Sequence, residues 1–305
     1  MSCQFLSYRR RLTFLKFRYV CKMSWNEKRN IKVAILDMNE GHENQGMRCI
    51  KDILSLWSHE NEVPISVTTF EVRLRNEVPD TSYDLYISSG GPGSPLESVG
   101  SDWEKHFFNW VHDLEDWNSN PDNFPKKHAF FICHSFQLVS RHYGIGTVCK
   151  RVSTSFGVFP IHRMPESQSE VIFEGLKDPF YAVDSRDFQL ISPNIQRLRQ
   201  MGGTILAIEK ERRHVPYERA VMAVRFNKHF IGTQFHPEAD PKGMSMYLQR
   251  EDKKQMVCNN HGEAKWASMV EQLGDPEKIS WTNSHILPNF LDHATAPLVE
   301  AGVNA

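Results

Sequence analysis

His128-Ala-Phe-Phe-Ile-Cys133-His-Ser-Phe-Gln137-Leu-Val is the stretch on which the fold turns. An apolar run, Ala129 to Ile132, stops abruptly at a cysteine. The following residues, Gln137 to Tyr143, read as helix, with Leu138 and Val139 on one side and Arg141 on the other. A cysteine at such a strand-to-helix turn is held at the sheet edge above the positive end of a helix. There its thiol pKa falls and its thiolate is exposed. Alone, a free cysteine is more often a small buried hydrophobe, and it becomes a nucleophile only with a histidine from elsewhere.

Upstream, Ile31-Lys-Val-Ala-Ile-Leu-Asp37 has the continuous apolar character of a buried parallel strand. Asn44 caps a helix from about Gln45 to Trp57, whose apolar face is Met47, Ile50, Ile53, Leu54 and Trp57. Strands follow at Ile65 to Phe70 and Asp84 to Ser88. Strand, helix and strand in alternation predict right-handed βαβ units and a parallel sheet, with active residues beyond the carboxyl ends of the strands. The third strand runs into Ser89-Gly-Gly-Pro-Gly93, where glycines let backbone N–H groups approach an anion or form half of an oxyanion hole. No G-x-x-x-x-G-K-[ST] phosphate loop exists in the chain. Trp103, Phe107, Trp110, Leu114 and Trp117 form the aromatic stripe of a helix packed against the sheet.

Downstream, strands are expected at Thr147 to Val152, Gly157 to Ile161, Phe180 to Val183, Gly203 to Ile208, Ala220 to Phe226 and His229 to Phe235. They suggest a hairpin-rich layer laid on the parallel core, with Asp184-Ser-Arg-Asp187 as a polar cluster at a strand end. The last strand ends in His236-Pro-Glu238, where Pro237 keeps His236 extended. Glu238, two residues on, lies on the same side of an extended chain and can orient the imidazole. Cys133, His236 and Glu238 together are a complete set for thiolate acyl chemistry. The tail is helical, at Met244 to about Lys254, Ala264 to Leu273 and Ile286 to Leu291. It is a cap, a sheet-edge cover or a subunit contact, the last allowing a homo-oligomer.

Composition sets the surroundings. The formal net charge is −1, but Arg9, Arg10, Arg11, Lys16, Arg18 and Lys22 stand in an acid-free segment 1–22, and the rest carries 30 basic against 37 acidic residues. A mildly acidic body gives no support to nucleic-acid binding. Residues 1–22 read as a basic leader, disordered or outside the native protein, with Met23-Ser24 as the natural start. No apolar run approaches the ~20 residues of a membrane span. The six cysteines have no paired spacing, so neither a metal site nor a disulfide framework is expected and a reducing, cytoplasmic setting is.

Three motifs in order, Ser89-Gly-Gly-Pro, Ile132-Cys133-x-x-x-Gln137 and Gly232-Thr-Gln-Phe-His236-Pro-Glu238, resemble the class I (triad) glutamine amidotransferases, most of all the amidotransferase domain of GMP synthase and its stand-alone relatives. The resemblance spans about Ile31 to Asp240. It implies a doubly wound, mostly parallel α/β sheet with helices on both faces, which sets a domain over 23–240; the helical tail read above is then a C-terminal extension over 241–305. It also implies no cofactor, and glutamine as substrate. By that similarity Cys133 attacks the side-chain amide of glutamine, His236 held by Glu238 handles the proton, and the N–H groups of Gly91 and His134 hold the oxyanion. Gln137 and Gly93 match glutamine-binding positions. Ser185 and Arg186 stand where the family usually has Ser/Asn-His. The family elbow G-x-C-x-G is here Phe131-x-Cys133-x-Ser135, so Phe131 must point somewhere permissive. Ammonia would pass to a separate synthetase subunit. A γ-glutamyl hydrolase or peptidase, an acyltransferase on the same scaffold, and a non-catalytic binding relative are the competing readings.

Overall fold

The computed structural model describes residues 29–303 except 43, 213, 214 and 276; the basic segment 1–22 lies outside the described residues. Ile31–Asp37 forms strand β1, buried along almost its whole length. Helix α1 (Gln45–Asn61) follows, capped by Asn44, and buries the apolar face expected of it. Then come β2 (Ile65–Glu71), the single turn α2 (Val72–Arg75), β3 (Leu85–Ser88), α3 (Asp102–Ser119), β4 (His128–Ile132) and α4 (His134–His142). The second half contains β5 (Thr147–Arg163), β6 (Phe180–Ile191), α5 (Ile195–Gln200), β7 (Thr204–Glu209), β8 (Val221–Arg225) and β9 (Phe230–Thr233). The helices α6 (Pro241–Leu248), α7 (Glu251–His261), α8 (Glu263–Leu273), α9 (Ile279–Asn283) and α10 (Ile286–Val303) follow the last strand.

Among the described residues, one nine-stranded sheet runs in the order β2-β1-β3-β4-β9-β8-β6-β5-β7. The first five strands are parallel, and the rest are antiparallel. The expected separate layer is thus a continuation of the same sheet, because β9 pairs parallel with β4 on one edge and antiparallel with β8 on the other. Beyond β8 the sheet curls: β7 pairs with both β5 and β8, so β5, β6, β8 and β7 close into a ring.

Strand alternation divides the core between two faces. On one, Phe130 and Ile132 share a cluster with Val33 and Ile35 of β1, Trp57 of α1 and Phe290 of α10. On the other, Ala129 and Phe131 face Phe107 and Trp110 of α3 and Phe136 of α4. Helix α10 is therefore part of the main core: the Phe290 ring meets that of Phe130 at 5.2 Å, and Trp57 Nε1 donates to Asp292 at 2.6 Å. It is also longer than its pattern suggested, running on through Pro297.

Three element boundaries differ from expectation. The predicted pair 147–152 and 157–161 is one strand, β5, with a register shift between Lys150 and Ser155. Asp184 to Asp187 is mid-strand in β6, because Asp184 and Arg186 bury their charges against each other and so do not end the strand. The helix predicted from Met244 to Lys254 is two, broken between Leu248 and Glu251. No helix among the described residues is long and apolar enough to cross a membrane.

Candidate active site

Cys133 sits between β4 and α4 at φ +48°, ψ −96°, a conformation that side chains rarely adopt and that marks a strained elbow. Its backbone N–H donates to the Thr233 carbonyl at 2.8 Å, which locks the turn to β9. The first N–H groups of α4, beginning at His134, have no acceptor within the helix and give the sulfur a partly positive neighbour. The thiol donates to the Ser185 carbonyl at 3.7 Å and accepts from Gln234 Nε2 at 3.6 Å.

The substituted elbow is accommodated by its neighbours. Phe131 points away from the sulfur into an aromatic cluster with Phe107, Trp110, Phe226 and Phe230. Its ladder partner on β9 is Gly232, where a Cβ would lie 3.0 Å from the Phe131 carbonyl, the Phe136 ring and the Phe226 ring. The missing glycine of β4 is thus supplied across the ladder. Ser135 donates to the Ser89 carbonyl at 2.5 Å and shares a 2.7 Å hydrogen bond with Ser88, tying α4 to the glycine loop.

His236 follows β9 and is held by β6, its N–H donating to the Val183 carbonyl at 2.8 Å. Nδ1 lies 2.9 Å from Glu238 Oε1. Burial draws the imidazole pKa down, but the Glu238 carboxylate and the Cys133 sulfur beside it outweigh that and hold it well above the ordinary histidine value. Glu238 is itself buried, beside the N-terminus of α1: a Cβ on Gly46 would come 3.0 Å from Oε1. A Cβ on Gly90 would stand 2.9 Å from His236 Cε1 and 3.4 Å from Cys133 Cβ. The loop after β3 therefore lies directly over both reactive side chains, and only glycine permits it.

The other predicted residues are placed unequally. Gly91 packs so closely on Met38 that a Cβ would collide with its carbonyl oxygen. Gly93 adopts φ +88° beside Arg73, which holds the loop by donating to the Pro92 carbonyl at 2.5 Å. The Gln137 side chain is buried, and its amide donates to Gln234 Oε1 at 3.0 Å and to the Phe188 carbonyl at 3.3 Å. It stands behind Cys133, linked to it through Gln234. Ser185 is at the site through its carbonyl. Arg186 is not at the site: strand alternation turns it to the opposite face, where it binds Asp184 at 2.9 Å and Glu209 at 3.0 Å. The buried His134 imidazole is kept neutral, its pKa pushed down to about 3 by burial and then by Arg73 and Arg141. Gln234, Gly46 and Arg73 received no role from the sequence, and Gly90 only a share in the glycine loop. For Gln234 the signal was present, inside the same run as His236.

A family model for class-I glutamine amidotransferases matches residues 50–254. No curated protein matches the chain. Among solved structures, a glutamine amidotransferase from Thermotoga maritima is 13% identical, covering 87% of this chain and 97% of its own at a TM-score of 0.57. A glutamine amidotransferase from Methylobacillus flagellatus is 11% identical, covering 88% and 95% at 0.58. The glutaminase domain of Trypanosoma brucei CTPS with bound acivicin is 13% identical, covering 68% and 86% at 0.50. At these identities the solved structures speak for the fold, whereas the family model spans well over half of the sequence. The chain belongs to the class-I glutamine amidotransferase family.

Proposed function

We propose that this protein hydrolyses the side-chain amide of glutamine at Cys133 and releases ammonia for a synthetase acting in trans. The observation that carries the reading is the His236–Glu238 pair, joined at 2.9 Å under the same glycine loop that covers Cys133. An imidazole whose pKa is raised by a carboxylate and a sulfur is suited to take the thiol proton and hold it beside the thiolate.

In this mechanism the Cys133 thiolate attacks the amide carbon, forming a C–S bond and moving the carbonyl electrons onto oxygen. The N–H groups of Gly91 and His134 stabilise that oxyanion. His236 gives its proton to the nitrogen, the C–N bond breaks, and ammonia leaves a γ-glutamyl thioester. Water then attacks, losing a proton to His236; the C–S bond breaks, and glutamate departs as the thiolate is restored. Glu238 fixes the ring tautomer throughout. Gln137 acts from behind the nucleophile, by orienting Gln234 against the sulfur, and Gly93 shapes the loop that faces the substrate. The relationship to GMP synthase, the separate ammonia acceptor and a cytoplasmic setting belong to the same proposal. Free Cys49, Cys133, Cys149 and Cys258 support the last of these.

The test is to incubate the protein with glutamine and measure ammonia and glutamate, alone and with candidate synthetases, for wild type and Cys133→Ala. An electrophilic glutamine analogue should add one adduct to the intact mass of wild type only. A loss of roughly 10³-fold or more is expected for the variant. Ammonia release untouched by Cys133→Ala would remove the nucleophile assignment. Turnover of γ-glutamyl peptides but not glutamine would make the protein a γ-glutamyl hydrolase on the same scaffold.

A further inference from the structure

The ring formed by β5, β6, β8 and β7, with the segment after β7 and Lys265 of α8, lines a half-open cavity of about 240 Å³ to which none of Cys133, His236 and Glu238 contributes. Its charged lining is Arg151, Lys210, Arg212 and Lys265 against Asp184 and Glu209. Both carboxylates are already occupied from within. Glu209 receives Arg186 at 3.0 Å, Arg151 at 3.2 Å and Arg212 at 2.5 Å, and Asp184 receives Arg186 at 2.9 Å and the Ser155 hydroxyl at 2.7 Å. Arg151 is 5% exposed and Arg186 1%. Buried cations in excess of their carboxylates are costly unless another anion joins them.

Two lysines, the exposed Lys210 and the half-buried Lys265, add positive charge beside this cluster. Their ammonium groups converge on one ring, Lys210 at 4.7 Å and Lys265 at 5.1 Å from the centre of Phe159. Burial, and then Lys210, depress the Lys265 pKa. The cavity also carries the Ser153 side chain beside this cationic wall. Its volume is below the roughly 300–1,000 Å³ of sites for drug-sized ligands, so the occupant is compact. A single carboxylate would leave positive charge uncompensated, whereas a phosphate group carries about −1.5 to −2 and three acceptor oxygens.

We infer that the ring cavity lined by Arg151, Lys210, Arg212 and Lys265 is a binding site for a small phosphate-bearing molecule, separate from the cysteine site. It is an addition to the glutamine reaction and stands or falls without it. The test is calorimetric titration of the full chain with inorganic phosphate and with pyrophosphate, at ionic strength matched with chloride. Lys210→Met/Lys265→Met removes two charges, one at an exposed and one at a half-buried position, while keeping their aliphatic stems. Lys51→Met/Lys242→Met removes the same charge elsewhere. Saturable one-site binding is expected, at least tenfold weaker in the first variant and unchanged in the second, with all three proteins equal in circular dichroism. Absence of saturable binding by wild type overturns the inference. So does equal weakening in both variants, which would report net charge alone, or full binding by Lys210→Met/Lys265→Met.

Discussion

At the residue scale, the pair His236–Glu238 is sensitive to the chemistry of one atom. Glu238 Oε1 accepts from the ring, while its buried Oε2 has no hydrogen-bond partner among the described residues, so the imidazole is the one partner seen for this side chain there. Glu238→Gln keeps the shape but presents an amide that can donate to Nδ1 and select the wrong tautomer. Loss of the carboxylate lowers the His236 pKa, which depends on it. The expected result is a roughly 10²–10⁴-fold fall in kcat for ammonia release, and a downward move of the His236 titration followed by NMR. A titration that stays in place would show that Glu238 does not set the proton affinity of the ring.

At the element scale, the elbow works because β4 and β9 exchange bulk. Phe131 on β4 would crowd α4 if its neighbour were not Gly232, and Phe136 of α4 occupies the space so released. Restoring a small residue on β4 alone should therefore be harmful, although small is the family's choice there. Phe131→Ala vacates the centre of a cluster containing Phe107, Trp110, Phe226 and Phe230, at a cost of about 3–5 kcal/mol in urea unfolding. A loss below about 1 kcal/mol would mean that the cluster collapses without penalty and that Gly232 does not compensate for Phe131.

At the scale of the whole molecule, buried histidines make stability depend on pH. Burial pushes both His128, where β4 meets β9 and α10, and His134 down to about 3, against about 6.5 in an unfolded chain. Below pH 6.5 the unfolded form binds protons that the folded form refuses, so stability is lost as pH falls from 6.5 toward 3. The expected loss is about 2 kcal/mol per histidine between about pH 7 and pH 5, read by urea titration at each pH. His236 has the opposite sign: its pKa is raised, so its contribution is complete below pH 6.5 and disappears as pH rises through its folded value. His128→Phe should flatten the acid limb, and an unchanged limb would exclude His128 as its source.

The sequence by itself determined much of the parallel half of the sheet, the elbow at Cys133 and the His-Pro-Glu run. Continuous apolar strands, an abrupt strand end and residues two apart on an extended chain are local properties. It also placed the Ser89-Gly90-Gly91 turn at the sheet's carboxyl edge, because a glycine-rich turn after a buried strand belongs there, and Gly90 is the residue of it that lies against Cys133. Only the tertiary structure decided the partners of Phe131, the place of α10 in the core, the curling of β5 to β8 and the fate of Arg186. Each of these depends on which residue lies across a ladder or on the other face, between positions far apart in the chain. Arg186 shows the reason most clearly: its neighbour Ser185 meets the cysteine through a backbone carbonyl, whereas the Arg186 side chain is drawn to Asp184 and Glu209, the latter 23 residues on in another strand.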